Sequence, residues 1–76
     1  MPELIKIDKV GVEELKGIAP GQTKAFWFAT GAARASAQSQ AYRMPLLNPR
    51  DGVLRYTCKS YEEDDGYVVE ITAVRR

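Results

Sequence analysis

The chain has 76 residues, of which 11 are Lys or Arg, 10 are Asp or Glu and none is His. A chain of this length holds one small domain, residues 1–76, and folding buries only about 60% of the surface that the unfolded chain exposes. The net charge of +1 excludes a strongly basic nucleic-acid coat and an acidic tail, and the lack of His removes the commonest general base and metal ligand.

Leu4 to Lys9 alternates loosely between apolar and polar residues and suits a short strand. Val12 to Lys16, set between Gly11 and Gly17, reads as one turn of helix. In the turn from Ile18 to Gln22, Pro20 fixes φ at the first central position and Gly21 takes positive φ at the second, which favours type II. Thr23 to Ala29 is a strand carrying Phe26, Trp27 and Phe28. Thr30 suits an N-cap, and the alanine-rich stretch from Ala32 to Met44, with no β-branched residue, is the main helix, ended by Pro45. Asn48 to Gly52 makes a turn. Val53 to Tyr61 then alternates Leu54, Tyr56 and Cys58 against Arg55, Thr57 and Lys59, the pattern of a half-buried strand. Glu62 to Gly66 is an acidic turn, and Tyr67 to Val74 returns as a strand with Tyr67, Val69, Ile71 and Ala73 on one face. The expected fold is therefore α+β and two-layered, an antiparallel sheet with one main helix packed on one face, in the order strand, short helix, strand, helix, strand, strand.

Helical spacing places Ala33, Ala37, Ala41 and Met44 on one stripe, with Phe26, Phe28, Leu54, Tyr56, Val69 and Ile71 as the fillers beneath it. Arg34, Gln38 and Tyr42, with Arg43 nearby, are expected on the far side of the helix. That surface reads either as solvated polar residues or as a face that touches a partner or nucleic acid. Strand parity sends Trp27 to the other sheet face, together with Arg55, Thr57, Lys59, Glu70 and Thr72. Trp and Arg are enriched at binding hot spots. Three covers compete for this face: the N-terminal segment with Leu4, Ile5 and Ile7, a second copy of the chain, or a nucleic acid bound by stacking and phosphate contact.

A single cysteine, Cys58, allows neither an intrachain disulfide nor a cysteine-based zinc site, and on the core face it acts as a small hydrophobe. Glu62 to Asp65 lies in a turn and lacks the ligand spacing of a calcium loop, which leaves it as solvated charge. No Gly-rich string matches a phosphate-binding loop or a dinucleotide fingerprint. No catalytic residue, metal, cofactor or small-molecule ligand is expected. No apolar run is long enough for a signal peptide or a membrane span, so a reducing cytoplasm is the expected location.

The stretch from Val12 to Phe26, the helix segment Ala35 to Arg43, the strand Tyr56 to Lys59 and the closing Gly66 to Arg75 resemble small uncharacterised strand–helix–hairpin proteins of Bacteroides-type phages and mobile elements. The segment from Pro45 to Pro49 is longer and more apolar than in that pattern. The resemblance implies this layout and, for some such proteins, attendance at DNA transactions; it assigns no residue a role. The expected function is a non-enzymatic interaction module that forms a homodimer. The alternative is a nucleic-acid-binding accessory protein that uses Trp27, Arg55, Thr57 and Lys59, with the helix surface of Arg34, Gln38, Tyr42 and Arg43 as a second candidate.

Overall fold

A computed structural model gives the elements in chain order as β1 (Leu4–Lys6), α1 (Val12–Lys16), β2 (Thr23–Phe28), α2 (Gly31–Leu47), β3 (Val53–Glu63) and β4 (Gly66–Arg75). It describes residues 4–7, 9–47, 52–63 and 65–76, without the side chains of Val12 and Leu47. Positions 48–51 of the expected Asn48 to Gly52 turn, and Asp64 of the acidic turn, lie outside the described residues. The element order is the expected one, and the layers are those of an α+β fold with α2 packed on one sheet face.

The four strands form a single sheet in the order β1-β2-β4-β3. β4 is antiparallel to both of its neighbours, whereas β1 lies parallel to β2, so the sheet is mixed where a wholly antiparallel one was expected. Parallel neighbours need a crossover rather than a hairpin. Here the connection through α1 supplies it, burying Val10, Leu15 and Ile18 on the way. It ends in the expected turn: the Gln22 amide donates to the Ala19 carbonyl at 2.9 Å, and Gly21 sits at φ 85°.

Thr30 caps α2, its Oγ1 accepting the Ala33 amide at 3.2 Å. Ala37, Ala41 and Met44 then face Phe26, Phe28, Tyr56, Val69, Ile71 and Ala73, and the small alanines let the helix approach a sheet carrying large rings. Burial of each large side chain stabilises by roughly 1.5–3 kcal/mol before conformational entropy is subtracted. α2 does not stop at Met44 but runs to Leu47 with Pro45 inside it. Proline lacks the N–H that would reach back to the Ala41 carbonyl, yet in a last turn that removes one rung and leaves little helix beyond it to disrupt.

Two departures reshape β3 and its turn. Val53 pairs with Arg75 and Arg55 with Val74, so Leu54 is an extra residue bulged out of the ladder. The bulge resets parity: Val53 enters the core at 4% exposure, and Leu54, expected there, is 45% exposed. At the other end the strands continue to a Glu63–Gly66 pair, which shortens the expected turn to two positions, with Asp65 at φ 57°. A tight hairpin of this length selects residues that tolerate positive φ, and Asp is one of them.

Candidate functional site

Pairing across the strands fixes what lies on the sheet face away from α2. Lys6, Trp27, Val68 and Tyr61 form one row. Leu4, Ala25, Glu70 and Lys59 form the next, then Thr23, Thr72 and Thr57, and finally Val74 beside Arg55. Trp27, Arg55, Thr57 and Lys59 thus share a face, as parity predicts. They do not form one compact site, because Arg55 stands six residues from Tyr61 along β3, about 20 Å at the rise of an extended strand.

Trp27 does not stand up from the sheet. Its indole lies against Gly66, where any Cβ would collide with the ring, and its Nε1–H donates to the Glu63 carbonyl at 3.0 Å. Lys6 Nζ sits 5.3 Å from the ring centroid, a cation–π contact. The expectation that Leu4, Ile5 and Ile7 fold over Trp27 as a cover is corrected for Ile5 and Ile7. β1 pairs beside β2 in the plane of the sheet, and Ile5 and Ile7 pack towards the core on the α2 side. The pleat that turns Ile5 inward turns Leu4 and Lys6 outward, Leu4 beside Ala25 and Lys6 over the indole.

Charge on this face is partly cancelled. Glu70 lies directly across from Lys59 and also hydrogen-bonds Tyr61, which raises the Tyr61 pKa. The Thr23 and Thr72 hydroxyls bond each other at 2.7 Å. Ala25 and Val68 are buried on this face, and their ladder neighbours include the much larger Trp27, Tyr61 and Glu70.

The helix residues also sit differently from expectation. Arg34 is about 100° around the helix from Ala33 and about 60° from Ala37, so it belongs to the flank and not to the far side. Because α2 lies over β3 and β4, that flank leans onto β3. Arg34 Nη1 donates to Ser60 Oγ at 3.4 Å, and its guanidinium lies 5.4 Å from the Tyr67 ring centroid. Gln38 is half-buried, while Arg43 is exposed. Tyr42 is 56% exposed, and its hydroxyl bonds the Cys58 sulfur. Burial raises the Cys58 thiol pKa, a shift that the hydrogen bond from Tyr42 partly offsets.

This arrangement opens a groove of about 410 Å³ between α2 and β3, lined by Tyr42, Pro45, Leu46, Arg55, Tyr56, Thr57 and Cys58. It joins one expected helix residue, Tyr42, to two expected sheet residues, Arg55 and Thr57. Leu46, at 84% exposure, and Leu54 add apolar surface beside it that parity and helix-end rules did not foresee. The available signal was the apolar run Pro45-Leu46-Leu47 directly after the helix pattern. Along the groove β3 is an edge strand: among the described residues it has β4 on one side and no strand on the other. Among the same residues no helix is long and apolar enough to cross a membrane. Comparison with protein-family models, curated proteins and solved structures finds no match to this chain.

Proposed function

We infer that the chain is a non-enzymatic interaction module that works as a homodimer in a reducing, cytoplasmic setting. The observation that carries this reading is the gathering of Tyr42, Leu46 and Leu54, the large hydrophobics most exposed among the described residues, along the α2–β3 flank of an eleven-residue edge strand. A core this small gains most from burying such a patch against a second chain, and a two-fold interface needs only one self-complementary surface.

The nucleic-acid alternative draws less support from the geometry. The Trp27 indole is laid flat with its N–H engaged, Lys59 faces Glu70, and Arg34 is tied to Ser60 and Tyr67. Phosphate-driven affinity depends on how many free cations meet the backbone. Light scattering coupled to gel filtration tests the homodimer directly. At tens of micromolar the expected mass is twice that of the chain, and a single-chain mass independent of loading would refute it.

A further inference from the structure

The geometry points to the β3 edge as the self-pairing surface: β3 runs antiparallel to β3 of a second copy, joining two four-stranded sheets edge to edge. This rests on the homodimer reading and specifies where the copies meet.

The first ground is the edge itself. β3 is eleven residues long, whereas among the described residues β1 at the opposite edge has three, and a long edge is a ready template for another strand. The second ground is charge. Along β3 the cations Arg55 and Lys59 come first, and the acids Glu62 and Glu63 close the strand, all four exposed. Antiparallel self-pairing with Arg55 opposite the partner's Glu63 makes two opposite-charge pairs per dimer on the face away from the helix, against one like-charge contact where Lys59 meets its own copy at the two-fold axis. In-register parallel pairing would set like charge on like at all four charged positions, so the pattern favours the antiparallel arrangement.

The third ground is the apolar flank. In an antiparallel edge dimer the two-fold axis stands perpendicular to the sheet, which keeps both α2 helices on the same face. The Tyr42–Leu46 flanks then approach each other over the joined strands, and the groove between α2 and β3 closes in the same step. One contact therefore serves the strand edge, the complementary ends of the charge pattern and the Tyr42–Leu46 flank together, while Leu54 falls just beyond the paired span.

Arg55→Glu and Glu63→Arg, separately and combined, test this by sedimentation velocity from low to high micromolar at low salt. Both side chains are exposed, and the Glu63 group that Trp27 bonds is its backbone carbonyl, so the fold should survive, which circular dichroism checks. Each opposite-charge pair occurs twice per dimer and is replaced by repulsion, so either single change should weaken association at least about tenfold. The double variant should recover to within about threefold of the starting chain, because the pairs are restored with their signs exchanged. A dimer indifferent to both single changes would overturn edge pairing while leaving the homodimer intact. A chain that stays monomeric at every concentration would overturn both.

Discussion

Gly66 shows how closely one residue is fitted to its neighbours. A Cβ there would fall inside the Trp27 ring contact and 2.7 Å from the Phe28 carbonyl oxygen, a backbone atom that cannot swing away. Gly66→Ala must displace the indole and strain its bond to the Glu63 carbonyl. The expected loss is about 1–3 kcal/mol, the usual range for forcing atoms into a filled site. Urea unfolding should show a lower midpoint at unchanged slope; stability within about 0.5 kcal/mol of the parent would contradict this packing. The same contact explains the resting place of Trp27. A tryptophan on a sheet face that no second layer covers among the described residues lies down over a glycine, uses its N–H on a carbonyl, and takes a lysine on its outer surface. Sequence parity correctly identified its face, but only the ladder register shows that Gly66 is the position left bare for it.

Among the elements, α2 depends on its first turn and on its alanine stripe. Thr30→Ala removes the side-chain acceptor for the Ala33 amide and should lower stability by about 0.5–2 kcal/mol. Thr30→Ser, which keeps the hydroxyl, should retain most of it. Equal losses for the two, read from thermal or urea unfolding, would show that the cap contributes nothing. The helix, both hairpin strands and the Pro20–Gly21 turn were legible because each rests on local chemistry: alanine content, period-two alternation, a proline followed by a glycine. Where expectation failed, a non-local cause intervened. Leu54 left the core because a bulge shifted parity by one residue, and alternation alone cannot show a bulge. Helical phase put Arg34 on the wrong side because it does not say over which strands the helix lies. The parallel pairing of β1 depends on a crossover whose course is set by burying Val10, Leu15 and Ile18.

For the whole molecule, the two sheet edges and two sheet faces are treated unequally. The helix side is filled, the opposite side is occupied by its own long side chains, and among the described residues the β1 edge is too short to template much. The β3 edge is left, with an apolar groove beside it and charged ends, Arg55 and Glu63, that complement each other in antiparallel pairing. Three of the seven residues that line the groove, Arg55, Thr57 and Tyr42, stood out in the sequence. Their meeting in one groove did not, because it requires the helix to lean over the edge strand. Amide hydrogen exchange at low and high protein concentration tests this account most directly, with β1 as the internal control. The edge-paired homodimer predicts that amides within Val53–Glu63 gain protection as concentration rises while those of Leu4–Lys6 do not. A β3 whose exchange is unchanged while the mass doubles, or protection gained at Leu4–Lys6 in its place, would contradict it.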